Sequence, residues 1–109
     1  MEAAVQSINL IATHPKVRGG RPCIAGTGLE IATIAIARII HGQTPEEIAS
    51  DYEISLAEVH AALSYYYAHK DEIDASIRER RKHAEQLREQ LIANGHSPLL
   101  GRESQPEDR

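Results

Sequence analysis

The single cysteine, Cys23, sits in the stretch GGRPCIAGTGLEI, residues 19–31, together with four glycines and Arg21. Three chemistries suit that composition: a phosphate-cradling loop, a thiol nucleophile, or a chain reversal. A phosphate loop needs successive backbone N–H groups at a helix N-terminus, usually followed by Lys-Ser/Thr. This stretch has neither the spacing nor the lysine. A nucleophilic thiol needs a base and an electropositive setting. His14 and His41 exist, but no spacing pairs either with Cys23, so the thiol reads as a small apolar group packed in a strand. The stretch is therefore read as structural, with Gly20, Pro22, Gly26, Thr27 and Gly28 as turn residues.

The other reactive side chains give weaker signals. His14, His41, His60, His69, His83 and His96 include no i, i+4 pair and have no cysteine partners at metal-ligand spacing, so no metal or other cofactor is assigned. Glu46 and Glu47 suit the first turn of a helix, where they favour the dipole, better than an acid/base pair. No enzyme activity is assigned. Tyr65-Tyr66-Tyr67 resembles a base-stacking platform, but consecutive helical residues point in different directions. Tyr66 fits a core stripe, which leaves Tyr65 and Tyr67 for the N-terminal strands or a partner. The basic run RERRKH, residues 78–83, reads as a solvated helix face.

Composition narrows the setting. The chain has 109 residues, 41% hydrophobic, with four Tyr and no Phe or Trp, so Ile, Leu, Val and Ala fill the core of one ordinary domain. A lone cysteine excludes an internal disulfide framework and fits a reducing, cytoplasmic setting. No stretch approaches a membrane helix, and no membrane association is expected. The net charge of −4 is unevenly spread: between residues 44 and 77, Lys70 is the one basic side chain amid a row of acids.

These residues need elements to hold them. Residues 8–12, INLIA, read as a short strand, and CIA and LEI flank GTG as two more around a tight turn. From Ile31 the period becomes helical, through Ile34, Ala35, Arg38 and Ile39, with Gly42 as the stop. Thr44-Pro45-Glu46-Glu47 and Ser55-Leu56-Ala57-Glu58 are two capping boxes. They open a short helix and a longer one, the second with Leu56, Val59, Leu63 and Tyr66 on one face. Helix, short helix, three-residue turn and longer helix outline a trihelical helix-turn-helix. No Gly or Pro follows until Gly95. A seam of Val59, Leu63, Tyr66, Lys70, Ile73, Ile77, Arg80, Ala84, Leu87 and Leu91 runs through this region. A helix break is predicted near His69–Asp71, with Asp71 as N-cap and the last helix ending near Asn94.

The motifs HPKVRGGRPCIAGTGLEI and GQTPEEIASDYEISLAEVHAALSYYYAHKDEIDASI resemble the bacterial domain-of-unknown-function family numbered 433. The likeness rests on His14-Pro15, Gly20-Arg21-Pro22, Gly26-Thr27, Pro45-Glu46-Glu47-Ile48, Ala62-Leu63 and Tyr65-Tyr66-Tyr67. It implies a mainly α fold: a homeodomain-like helix-turn-helix over 1–77 with a β element at 8–31. A helical extension at 78–96 and a flexible tail at 97–109 follow. It also implies an antitoxin-like regulator of VapB type, dimeric, paired with a PIN-like ribonuclease toxin and binding operator DNA. The family pattern places an arginine after Gly-Thr, where this chain has Gly28.

The sequence itself sets limits on DNA binding. The early exposed positions of the second motif helix offer only Glu58 and His60 to base edges, and Glu58 repels phosphate. Phosphate contacts would fall to Lys16, Arg18, Arg21 and Arg38. A protein-interaction module on the same fold, without DNA binding, is therefore the alternative expectation. In either case Ile73, Ile77, Leu87 and Leu91 give the C-terminal helix an apolar stripe for a partner.

Overall fold

A computed structural model describes residues 2–95: a short two-stranded element, three helices in mutual contact and an additional C-terminal helix. The strands are β1 (Ile11–Ala12) and β2 (Cys23–Ile24), and the helices are α1 (Ile31–Ile39), α2 (Pro45–Tyr52), α3 (Leu56–Ala68) and α4 (Lys70–Ala93). The expected mainly helical class is found. The predicted flexible tail, 97–109, lies outside the described residues, as does His96.

The β element is smaller than its apolar runs suggest. β1 pairs antiparallel with β2, placing Ile11 opposite Ile24 and Ala12 opposite Cys23. The expected pairing of CIA with LEI shrinks to one bridge, Cys23 opposite Glu30. The reason is geometric: the chain must enter α1 at Ile31, whose N–H donates to the Pro22 carbonyl at 3.0 Å. The reversal is a tight turn in which Thr27 N–H donates to Ile24 O at 3.0 Å. Gly26 takes φ +78°, a conformation open to glycine at little cost. The Thr27 hydroxyl donates to Ile24 O and accepts from Leu29 N–H, so a side chain completes the turn.

α1 buries Ile31, Ala32, Ile34, Ala35 and Ala37. The expected face is corrected at its end: Ile39 is 45% exposed, because the helix stops there and the chain turns at Gly42, φ +70°. Both capping boxes form. Thr44 Oγ1 accepts from Glu47 N–H at 3.1 Å while Glu47 accepts from Thr44 N–H at 2.8 Å. Ser55 and Glu58 repeat the exchange at 3.0 and 2.8 Å. Between them Glu53 adopts φ +57°, which closes α2 and gives the three-residue turn. Ser55→Ala removes one acceptor from the start of α3, and a loss of about 1 kcal/mol is expected in urea denaturation.

The core consists of Ile24, Ile31, Ile34, Ile48 and Val59, all at 0% exposure, with Ala62 and Tyr66 from α3. Leu56, expected on the buried face of α3, is instead 41% exposed. It is the first residue of the helix and lies before the packed turns begin.

The break between α3 and α4 is found at His69, with φ −127° and ψ 34°. Its expected cap is corrected. Asp71 lies inside the first turn of α4, and the His69 carbonyl accepts the Ile73 N–H at 3.0 Å. The His69 ring stacks on Tyr65 with centroids 4.1 Å apart, and Nδ1–H donates to Tyr65 O at 3.0 Å. Lys70, an irregular member of the apolar seam, places Nζ 5.9 Å from the Tyr66 ring centre, a cation–π geometry. Two compact units meet in sequence at Ile73–Asp74, one turn before the boundary predicted after residue 77.

Candidate interaction surface

Of the four basic candidates, Arg21 is committed inside the domain. Its Nε donates to Glu30 Oε1 at 3.0 Å and its Nη2 to Oε2 at 3.2 Å, a two-point fork. The Glu30 side chain is only 10% exposed and that of Arg21 36%, so the guanidinium neutralises a buried carboxylate. The carboxylate hydrogen bond holds the Arg21 pKa above its ordinary value, against the opposing effect of burial. Glu30 precedes α1 without capping it, since its side chain turns to Arg21. Glu30, nine residues from Arg21, is not announced by any spacing in the sequence. The only available signal was a carboxylate between two apolar residues, Leu29 and Ile31.

Arg18 sits at φ +50° in a short 3₁₀ turn, Arg18–Gly20, and its Nε donates to Gly28 O at 2.9 Å. The guanidinium lies beside Gly28, within van der Waals reach of where a β-carbon would stand. The charge of Arg18 thus occupies the surface next to the position where the family pattern has its own arginine. Lys16 is exposed, its backbone N–H donating to His14 Nδ1 at 3.1 Å. Arg38 is exposed at the end of α1, with Nη1 at 3.4 Å from the Gln43 carbonyl.

The outward side of α3 has a different character. Ala57, Ala61, Ser64 and Ala68 recur at helical spacing and, with His60 and Tyr65, line a shallow groove of about 600 Å³. Its other wall is Ile8, Leu10 and Ile11. Ile8 is 75% exposed, and no lysine or arginine lines the groove. Of the two candidate base readers, Glu58 is occupied in the capping box and His60 lies on the groove wall. Tyr65, which the sequence leaves for the N-terminal strands or a partner, lines this groove together with Ile8, Leu10 and Ile11. Tyr67 is 61% exposed, whereas Tyr65 is half-buried. Among the α4 candidates, Ile73 is buried, Ile77 and Leu91 are half-buried, and Leu87 is 48% exposed.

The family model for "Protein of unknown function (DUF433)" matches residues 11–66, which contain β1, β2 and the three packed helices. The chain belongs to the DUF433 family. Its fold also matches the crystal structure of a DUF433 member protein from Anabaena variabilis, with 28% sequence identity and a TM-score of 0.59. The match covers 64% of this chain and 69% of that one. No curated protein matches the chain.

The glycine loop of this DUF433 chain buries its thiol. Cys23 is 3% exposed, its Sγ lies 3.4 Å from Arg21 O, and burial pushes its pKa up. Alkylation should therefore be about tenfold slower or more in the native protein than in denaturant, as followed by mass spectrometry. Equal rates would show the β element to be open. Among the described residues, no three His, Cys, Asp or Glu side chains gather in a metal-binding group. No described helix is long and apolar enough to cross a membrane.

Proposed function

We propose that this DUF433 chain is an antitoxin-like regulatory protein, the partner of a PIN-like ribonuclease, and that it acts chiefly by protein contact. The observation that supports this reading is the outward side of α3. A helix that reads bases presents polar and basic side chains toward the groove and phosphates. Here that side is alanine and serine with His60 and Tyr65, has no lysine or arginine, and lies beside an uncovered Ile8, a surface suited to a packed, largely apolar partner. The partner class is the one that the resemblance to the 433 family implies, a VapB-type antitoxin's ribonuclease. Operator binding, where it occurs, falls to Lys16, Arg18 and Arg38, since Arg21 is held by Glu30. The same groove favours a second reading, an interaction module with no ribonuclease partner.

Affinity capture separates the two. The tagged chain should retain the small ribonuclease encoded beside its gene and suppress its RNA cleavage. Ala61→Arg, which projects a charge into the groove, should abolish retention while leaving the circular dichroism spectrum unchanged. Failure to retain that neighbour would leave the interaction-module reading. A gel-shift titration with upstream DNA tests the operator role, which requires binding that weakens as salt rises.

A further inference from the structure

We propose that a pocket in the β element binds a small organic acid, with its carboxylate held by Arg18 and its apolar body against Ala12 and Val17. The proposal does not rest on the reading of the α3 surface. The pocket has a volume of about 380 Å³, within the range of small-molecule sites. Its lining is mostly apolar, with Ala12, Val17 and Cys23, and it includes His14 and Gly28.

Two residue choices bear on the position of one guanidinium. Arg18 adopts φ +50°, a left-handed conformation that costs an arginine free energy and that asparagine or glycine takes more readily. Gly28 is not left-handed, so its backbone makes no demand for glycine. The Arg18 side chain reaches Gly28, where Nε donates to the carbonyl oxygen at 2.9 Å. A β-carbon on residue 28 would stand 3.6 Å from Nε and 3.9 Å from Nη2, so a side chain longer than that of alanine would compete for the same space. The bare glycine thus seats the cation beside a residue that lines the pocket.

The polar groups suit a carboxylate. With Nε taken by Gly28, the two Nη groups remain, and such a pair forks onto a carboxylate. Among the described residues no carboxylate pairs with Arg18, whereas Arg21 is neutralised by Glu30. His14 adds a donor. Its Nδ1 accepts the Lys16 N–H at 3.1 Å, which puts the proton of the neutral ring on Nε2. The apolar lining argues against a bare phosphate, which gains nothing from Ala12 and Val17. An acid with a small apolar body uses both parts of the site.

The probes are benzoate, its neutral isostere benzamide, and inorganic phosphate. Each is titrated into the isotope-labelled full chain at fixed ionic strength, and amide resonances are followed by NMR. Benzoate should saturate with a Kd of about 10 mM or tighter. The shifts should centre on the pocket-lining segments, 12–17 and 23–28. Benzamide should bind about tenfold more weakly, for want of the charge. Arg18→Asn keeps a residue that tolerates the left-handed turn, and should weaken benzoate about tenfold. Gly28→Val retains the arginine but takes its space, and should do the same. Arg88→Gln, on α4, should change the affinity by less than about twofold. No saturation by about 100 mM benzoate overturns the site. So does phosphate that binds as tightly as benzoate, or a folded Arg18→Asn or Gly28→Val chain that binds benzoate as well as the native one.

Discussion

Replacing Ile48 by alanine is expected to remove about 3 kcal/mol of stability, measured by urea denaturation at unchanged m-value. Ile48 is the one buried side chain of α2 and is 0% exposed. The helix has eight residues, too few to persist alone, so its place depends on that anchor and its capping box. Removing three carbons leaves a cavity between α2 and the two helices it touches. Tyr52→Ala in the same helix should cost less than about 1 kcal/mol, because Tyr52 is 39% exposed. A loss at Ile48 no larger than that at Tyr52 would mean that α2 is held from outside its apolar face.

The second large effect is expected at Arg21. Arg21→Ala leaves the Glu30 carboxylate in its buried position without the two-point fork. Breaking a fully buried pair costs about 3–5 kcal/mol. The Arg21 side chain is 36% exposed, so water takes over part of its role and about 2 kcal/mol is expected. Glu30→Gln in the Arg21→Ala background should recover part of that loss, since the buried group no longer carries charge. If Glu30→Gln lowers stability as much in that background as in the native chain, the two side chains are not energetically coupled.

Much of this architecture was written in local signals. Thr44-Pro45-Glu46-Glu47 and Ser55-Leu56-Ala57-Glu58 fix helix starts because every contact they need lies within three residues. Gly42 and the Asn94-Gly95 end are legible for the same reason. The break near His69 was legible as a region, but its cap was not. Asp71 is the better capping residue by type, yet the Tyr65–His69 stack sets where the chain turns. The surface was harder to read. Arg21 looked available to phosphate because its partner, Glu30, is nine residues away and nothing in spacing announces the pair. The wall of Ile8, Leu10 and Ile11 beside α3 depends on a contact across most of the domain, which periodicity does not encode.

The short connections also bear on how quickly the domain is made. Three residues link α2 to α3, and the β1–β2 pair and its Arg21–Glu30 clasp close within residues 11–31. Few of the contacts join distant parts of the chain, so little loop entropy opposes the search for the native state. Such a topology belongs with the fast folders, in the microsecond-to-millisecond range. A chain released from the ribosome would then expose its apolar groups only briefly.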